Sequence, residues 1–366
     1  MVRALELARR ARFQASPNPP VGCVLVRDGA VIGEGFTQPV GGAHAEIAAL
    51  RAAGDARGAT AYQTLEPCNH RGRTGPCSEA LLAAGIARLV YALRDPNPAA
   101  GGGGERLRAA GVLVDGGLLA TEARSLIAGF CLRMERGRGR VRAKLAASLD
   151  GRTAMASGES QWITGTAARA DVQRLRAASC AIVTGIGTVL SDDCALTVRE
   201  AEFCSRVGAA VLSGRQPLRV VVDSRLRTPP TARVLAGGAE TLLLHGADAD
   251  APAFRAAAGA SAPSLQCLPT SADGGLDLAA VMTALAAREA NEILVESGPR
   301  LAGALLAAGL LDELLVYQAP CLLGSSARPL LQLPLTRMAE RMPLELLDQR
   351  RVGRDWRLTF APAAGI

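Results

Sequence analysis

Thr64-Leu65-Glu66-Pro67-Cys68-Asn69-His70-Arg71-Gly72-Arg73-Thr74-Gly75-Pro76-Cys77, preceded by His44-Ala45-Glu46, is the stretch from which the rest of this chain is read. One imidazole (His44) and two thiolates (Cys68, Cys77) fill three of the four positions that tetrahedral Zn²⁺ prefers and leave the fourth for a water. Glu46, two residues from His44, is the natural proton carrier for that water. Local pattern places His44-Ala45-Glu46 at the start of a helix, Pro67-Cys68 at the end of a strand and Pro76-Cys77 at the start of the next helix. Free N–H groups and the dipole at a helix N-terminus lower a thiol pKa, so two such termini facing each other favour thiolates. Two of the chain's three histidines, His44 and His70, fall inside this constellation; His245 is the third.

Outward from that stretch, short β-rich runs alternate with helical ones, which predicts an α/β fold. A helix over Ala4–Phe13 precedes a hairpin, Val21–Val26 and Ala30–Gly33, about the turn Asp28-Gly29. Helix Glu46–Ala53, strand Thr60–Leu65, helix Ser78–Ala84 and strand Arg88–Ala92 follow, and Leu107–Val114 and Leu118–Leu132 continue the alternation. The tract Gly101–Gly104 reads as a loop. Glu135-Arg-Gly-Arg-Gly-Arg140 is polar and glycine-punctuated, and the domain boundary is placed there, giving domains 1–138 and 139–366. The second part restarts with strand Val141–Ala147, helix Ala167–Ala178 and strands Ala181–Thr184, Leu218–Val222 and Thr241–Leu244. Helix Leu278–Ala287, strand Ile293–Glu296, an Ala/Leu-rich helix after Ser297-Gly298-Pro299 and strand Glu313–Ala319 complete it.

A chain of 366 residues with 49% hydrophobic and 20% charged residues reads as globular, with two domains as the expectation. Its longest apolar run, Leu301–Leu311, stops at Asp312, short of a membrane span, and the amphipathic N-terminus has no signal-peptide core. The cytoplasm is the expected compartment, with no membrane partner. Nine scattered cysteines, an odd number, do not resemble a disulfide framework; seven are expected to pack as small hydrophobes. The net charge of +7 invites a nucleic-acid reading, but nearly all of it is arginine, with Lys144 the single lysine. Aromatic residues at 3% are too few for stacking splayed bases, and a phosphorylated small molecule suits the charge equally well.

A His, two Cys and a nearby Glu follow the ligand logic of zinc-dependent deaminases, in which metal-activated water attacks an amidine-like carbon of a base. A structural zinc site would close with four protein ligands, and apart from His70 no fourth is evident. Pro17-Asn18-Pro19-Pro20-Val21-Gly22, His44-Ala45-Glu46 and the opening stretch together resemble the bifunctional deaminase–reductase family of riboflavin biosynthesis, whose zinc cysteines are also separated by eight residues. The resemblance covers nearly the whole chain. It implies an N-terminal cytidine-deaminase-like three-layer α/β/α domain, with His44, Cys68 and Cys77 as zinc ligands and Glu46 as the catalytic proton shuttle. Asn18 and His70 are then expected substrate contacts. Gly35-Phe36 is followed by Thr37 where the family often has a His.

The second half carries its own blocks. They are Lys144-Leu-Ala-Ala-Ser-Leu-Asp150-Gly151-Arg152, Gly158-Glu-Ser160-Gln-Trp162-Ile-Thr164, Gly185-Ile-Gly187-Thr188-Val-Leu-Ser-Asp192-Asp193, Leu196-Thr-Val-Arg199 and Val295-Glu296-Ser-Gly298-Pro-Arg-Leu-Ala-Gly303. Each resembles the reductase domain of the same family, which implies a dihydrofolate-reductase-like α/β domain using NADPH. Glycines at the strand-to-helix turn Ser297–Gly303 let backbone N–H groups approach a phosphate. Gly185–Thr188 is read as a second close-approach loop, and the Rossmann Gly-x-Gly-x-x-Gly fingerprint is absent. By resemblance, Ala146, Trp162, Thr188, Asp192, Ser224 and the stretch Gly298, Pro299, Arg300, Leu301, Ala302, Gly303, Ala304 contact NADP. Ser160, Arg176, Leu196, Arg199 and Glu296 hold the ribosyl-pyrimidine phosphate, the arginines through their forked donors. Cys194 stands where the family has proline after Asp-Asp. No side chain stands out as the acid for the carbonyl.

The resemblance implies deamination of 2,5-diamino-6-ribosylamino-4(3H)-pyrimidinone 5′-phosphate and then NADPH reduction of 5-amino-6-(5-phosphoribosylamino)uracil, in an enzyme whose homo-oligomeric state is left open. Two competitors remain at this point. A deaminase of nucleic-acid bases with a C-terminal binding module is opposed by the low aromatic content and the cysteine spacing. A non-catalytic zinc scaffold has no need of Glu46.

Overall fold

The computed structural model describes residues 1–71, 75–199, 202–203, 214–259 and 262–363. Gly72–Thr74 of the opening stretch and Cys204 lie outside the described residues. Two compact units emerge, one up to Arg138 and one from Gly139 onward.

In the first unit α1 (Val2–Ala11) leads into the hairpin β1 (Gly22–Arg27) and β2 (Ala30–Phe36), then α2 (Ala45–Ala53), β3 (Thr60–Leu65), α3 (Cys77–Ala83) and β4 (Arg88–Leu93). α4 (Gly103–Ala109), β5 (Leu113–Gly116), α5 (Ala120–Leu126) and α6 (Ala128–Arg136) follow. The strands form one five-stranded sheet, β2-β1-β3-β4-β5, antiparallel at β2/β1 and β1/β3 and parallel beyond. Alternation along β1 builds the layers, because successive side chains point to opposite faces. Cys23 and Leu25 pack with Ala45 and Ala49 of α2 and Leu81 of α3, whereas Val24 packs with Ala4 and Leu7 of α1. The result is a three-layer α/β/α unit. α2 and α3 begin on the same face of the sheet, which is why the residues at their N-termini can meet.

The second unit contains β6 (Arg140–Ser148), β7 (Arg152–Ala154), α7 (Thr166–Ala177), β8 (Ala181–Gly185), α8 (Ile186–Asp192), β9 (Leu218–Val222) and β10 (Thr241–His245). Next come α9 (Ala251–Ala258), β11 (Ser264–Cys267), α10 (Leu278–Ala287), β12 (Glu292–Val295), α11 (Pro299–Ala307) and β13 (Glu313–Ala319). β14 (Arg328–Pro329) pairs with β7, and β15 (Leu344–Val352) and β16 (Asp355–Pro362) form a closing hairpin. A nine-stranded sheet runs β11-β10-β9-β8-β12-β6-β13-β16-β15, parallel up to β13 and antiparallel through the hairpin. One face packs under α10 and α11, through Met282, Leu285, Leu305 and Leu306. The other packs under α7 and α9, through Val172, Leu175 and Phe254. In such open parallel sheets ligands sit outside the carboxyl ends of the strands. Here β8, β12 and β6, adjacent in the sheet, deliver Gly185, Glu296 and Ser148 to that end.

Every helix and strand given residue bounds by the sequence pattern is present, its ends moved by no more than three residues. Some details differ. The tract Gly101–Gly104 is not all loop: Gly102 takes a left-handed φ of 89° as N-cap, and Gly103 and Gly104 are the first turn of α4. Glycine is required there because a Cβ at Gly103 would run into the Pro67 carbonyl. Gly185–Thr188 is not a loop either, since Gly185 caps α8 and Ile186–Thr188 begin it. β3 stops at Leu65, so Pro67 and Cys68 lie in the following loop, as a residue without an N–H requires. Of the cysteines expected to pack as small hydrophobes, Cys23 and Cys131 do, whereas Cys267 is exposed at the end of an edge strand. β7, α8, α9, β11, β14 and the hairpin β15/β16 are further elements, not assigned from the sequence pattern.

Candidate active sites

His44 is the N-cap of α2, Glu46 lies in its first turn, and Cys77 is the first residue of α3. His44 Nδ1 stands 3.7 Å from Cys68 Sγ and 3.4 Å from Cys77 Sγ, and the three ligand atoms all lie within 4.8 Å of one another. Zinc–sulfur and zinc–nitrogen bonds meeting at a tetrahedral angle place S and N about 3.5 Å apart, so the donor set matches zinc in type and in spacing. Among the described residues this is the one group of three such side chains placed to hold a metal.

The site separates its charges. The Cys77 thiol and the Cys77 backbone N–H, 3.4 Å from Cys68 Sγ at the start of α3, hold the Cys68 thiol far below its ordinary value, with His44 adding to the effect. Cys77 moves the other way because its proton is held against the Cys68 sulfur. Hydrogen bonding to Cys68 raises His44. Glu46 is 4% exposed, and burial, aided by the Cys68 charge, pushes its carboxyl up to about 7.

Several residues around this centre escaped the sequence reading. Glu66 is buried and accepts from Gly104 N (2.9 Å) and Asp95 N (3.2 Å), tying the loop after β4 and the start of α4 to the cysteine loop. Asn69 accepts from Ser78 Oγ (2.8 Å) and donates its backbone N–H to Ala100 O (2.8 Å). Burial pushes the Asp95 carboxyl up to about 6, with Glu66 and Cys68 adding to the rise against the Asn97 N–H. A signal for this loop existed: Asp95-Pro-Asn-Pro98 repeats the pattern of Ser16-Pro-Asn-Pro19. Asn18 is half-buried in the turn after α1, donating its N–H to Ala15 O (2.9 Å), and His70 is exposed. Thr37 serves the fold, because its Oγ1 accepts from Val21 N (3.0 Å) and lies 3.1 Å from Pro19 O, fixing the segment after Asn18.

In the second unit two adjoining hollows, sharing Thr188, Gly298 and Pro299, open at the carboxyl end of the sheet. The larger, about 1180 Å³, is lined by Ser224, Arg300, Leu301 and Ala304 from the predicted cofactor set. Gly298 N donates to Thr188 Oγ1 (3.2 Å), which joins the starts of α11 and α8 at its floor. Ala302 and Gly303 do not reach it: Ala302 is in the core, and Gly303 lies against the Gln332 backbone, where a Cβ would clash. The smaller, about 380 Å³, gathers Ala146, Trp162 and Asp192 with Ser160, Arg176, Leu196, Arg199 and Glu296. Arg225 and Arg227 also line the larger hollow, and the sequence reading did not select them.

Arg176 is not a free phosphate clamp. Its Nε and Nη2 bind Glu296 at 2.6 and 3.0 Å, and Nη1 donates to Thr197 O (2.8 Å). Arg199 is the more open cation, exposed and, among the described residues, paired with Glu202 at the surface (2.8 Å). Lys144, quoted from the sequence but given no role there, lines the same hollow. Burial lowers its pKa while Glu296 opposes that shift. Among the described residues no helix is long and apolar enough to cross a membrane.

Fold and cluster together define a class: a cytidine-deaminase-like zinc domain joined to an α/β reductase domain. The family model for the cytidine and deoxycytidylate deaminase zinc-binding region matches residues 1–93, and that for the RibD C-terminal domain matches residues 140–358. The chain is 50% identical over 360 residues to riboflavin biosynthesis protein RibD of Escherichia coli, covering 97% of this chain and 96% of that one. It is 43% identical to RibD of Haemophilus influenzae, covering 99% and 96%. A solved structure of Acinetobacter baumannii RibD superposes with a TM-score of 0.90 at 41% identity, over 99% of this chain and 97% of that one. A Thermotoga maritima structure described as a diaminohydroxyphosphoribosylaminopyrimidine deaminase/5-amino-6-(5-phosphoribosylamino)uracil reductase gives 0.84 at 29% identity, again over 99% and 97%. The chain belongs to the RibD family, the bifunctional deaminase–reductases of riboflavin biosynthesis.

Proposed function

We propose that the first unit deaminates 2,5-diamino-6-ribosylamino-4(3H)-pyrimidinone 5′-phosphate and that the second reduces 5-amino-6-(5-phosphoribosylamino)uracil to the ribitylamino product with NADPH. The observation that carries this reading is a zinc-matched His44/Cys68/Cys77 triad with a buried Glu46 in one polypeptide with a cleft holding Lys144, Arg176 and Glu296. The division of labour at residues 138/139 is part of the proposal, as are the cytoplasmic location and the residue roles below.

Zinc, when bound, supplies the Lewis acidity that makes a water nucleophilic near neutral pH. His44, Cys68 and Cys77 hold it. Glu46 takes the first proton of that water on its carboxylate and gives it to the ring nitrogen as the C–O bond forms. It then takes the second from the added hydroxyl and gives it to the amino group, so that ammonia leaves as the C–N bond breaks and the C=O forms. Buried and two residues from His44, Glu46 is placed to serve as base and then as acid in that transfer. Asn18, Asp95 and His70 orient the pyrimidine.

In the second unit NADPH, when bound, supplies the hydride. The turn at Ser297–Arg300 and Thr188 offer backbone and hydroxyl donors to its phosphates, while Trp162 and Ala146 border the smaller hollow. Arg199 binds the substrate phosphate. Glu296, fixed by Arg176, accepts from the ribosyl hydroxyls. Lys144 gives a proton to the ribosyl ring oxygen, so that C1′ opens to an electron-poor centre before it is reduced.

Glu46→Gln tests the first assignment. The variant should keep stoichiometric zinc and full NADPH oxidation on the deaminated substrate, and lose ammonia release by about 10²–10⁴-fold. Deamination at the unaltered rate would remove Glu46 from the mechanism.

A further inference from the structure

The segment Ser160–Gly165 carries two residues assigned to the reductase cleft, yet Trp162 at its centre is 64% exposed and cannot hold itself in place by burial. What fixes the segment comes from the far end of the chain. Asp355, fully buried at the start of β16, accepts from Gly165 N at 2.8 Å. Gly165 is the N-cap of α7, and the carboxylate of Asp355 binds its backbone N–H, the bond that an N3 carboxylate makes in a capping box, at the positive end of the helix. The adjacent Arg354 donates to Ile163 O (3.4 Å). Gly353, at φ 64°, closes on Ala167 so tightly that a Cβ there would lie 2.7 Å from the Ala167 Cβ. Farther along, Asp171 of α7 accepts from Arg357 of β16 (2.8 Å) and from Tyr317 (2.7 Å). On the cleft side Arg169 stacks over the Trp162 ring at 4.5 Å and donates to Thr164 O (2.9 Å).

Arg357–Asp171 ties α7 to the hairpin and Tyr317–Asp171 ties it to β13. The Arg354 and Asp355 contacts lie nearer the cleft, on Ile163 and Gly165, within three residues of Trp162. We infer that Asp355 is a positioning residue for reduction: the turn of the C-terminal hairpin latches the Ser160–Gly165 segment and so sets Trp162 and Ser160 against cofactor and substrate. This rests on the assignment of the reductase cleft given above. The latch lies 190 residues from the group it holds and lines neither hollow.

The test uses the full-length protein carrying Trp356→Phe, which leaves Trp162 as the sole tryptophan. Asp355→Ala should raise KM for NADPH and for the aminopyrimidine phosphate by about 10-fold, as expected when a contact group is displaced by a fraction of an ångström. Trp162 emission should become more accessible to acrylamide, and energy transfer to bound NADPH should weaken, while ammonia release in the same preparation stays unchanged. Asp355→Asn keeps an oxygen acceptor for Gly165 N and should restore most of the KM. Arg354→Ala removes an exposed side chain, cannot unfold the unit, and should raise KM about 2-fold with no change in Tm. Unchanged KM and unchanged Trp162 quenching in both Asp355→Ala and Arg354→Ala would overturn the inference. So would a loss in Asp355→Ala that follows only the folded fraction and is not rescued by Asn; should Asp355→Ala fail to fold, Arg354→Ala alone decides. Failure of the unaltered protein to oxidise NADPH with this substrate would instead refute the reductase assignment.

Discussion

Replacing Arg176 by methionine should be far more damaging than its position on a helix suggests. The guanidinium and the Glu296 carboxylate are each only 12% exposed and meet through two hydrogen bonds, with a third from Arg176 to Thr197 O. Removing one partner of such a pair strands the other charge in a poorly solvated site, at a cost of about 3–5 kcal/mol. Lys144 and Arg199 also act on Glu296, so the lower end, about 3 kcal/mol, is expected. Burial pushes the Glu296 carboxyl up, Arg176 together with Lys144 and Arg199 more than reverses this, and the net value lies below the ordinary carboxylate value. A depressed carboxylate stabilises the fold above its unfolded pKa, and that contribution disappears as pH falls through the folded value. Without Arg176 burial prevails and the sign reverses, so neutral pH becomes the unfavourable condition for the variant. Urea unfolding of parent and Arg176→Met should therefore differ by about 3 kcal/mol at pH 7, converge toward pH 4, and differ much less when Glu296→Gln is added. NADPH oxidation should fall while deamination persists. A gap below about 1 kcal/mol at pH 7 that does not narrow with acid would refute the account of this pair.

Chelation of zinc should abolish ammonia release but leave NADPH oxidation on the deaminated substrate intact, with zinc addition restoring the former; parallel loss of both activities would show the metal to be a general fold requirement. Gly103→Ala places a methyl against the Pro67 carbonyl and should cost about 1–3 kcal/mol, lowering zinc occupancy through Cys68. Gly75→Ala, facing open space in the same cysteine loop, should leave metal content by atomic absorption unchanged.

The zinc triad was legible because its information is local. His-x-Glu at a helix start and Pro-Cys at another are short motifs, and the sheet needs only to bring two helix N-termini to one edge. Glu66 and Asp95 were not legible. Glu66 works through the backbone N–H groups of Asp95 and Gly104, 29 and 38 residues away, and any residue type offers an N–H. The reductase hollow was half legible. Its glycine turns and arginines stood out, but the pairing of Arg176 with Glu296 spans 120 residues and follows only from the adjacency of β8 and β12. Ala302 and Gly303 show the converse: the resemblance runs along the whole stretch, whereas helical periodicity turns Ala302 into the core and sets Gly303 against the Gln332 backbone.

Residue chemistry and period alone therefore settled which side chains can bind zinc, where strands and helices alternate, and that a zinc-deaminase half precedes a phosphate-binding α/β half. The reductase reading came from the resemblance of its blocks to the deaminase–reductase family. Tertiary structure decided which charges neutralise one another, which glycines are forced by close approach, and that Asp355 at the end of the chain binds the N-cap N–H of the helix behind Trp162. Periodicity and motif are properties of neighbours along the chain. Ion pairs, caps and close approaches depend instead on which strands lie side by side, and the order β8-β12-β6-β13-β16 appears only once the sheet has closed.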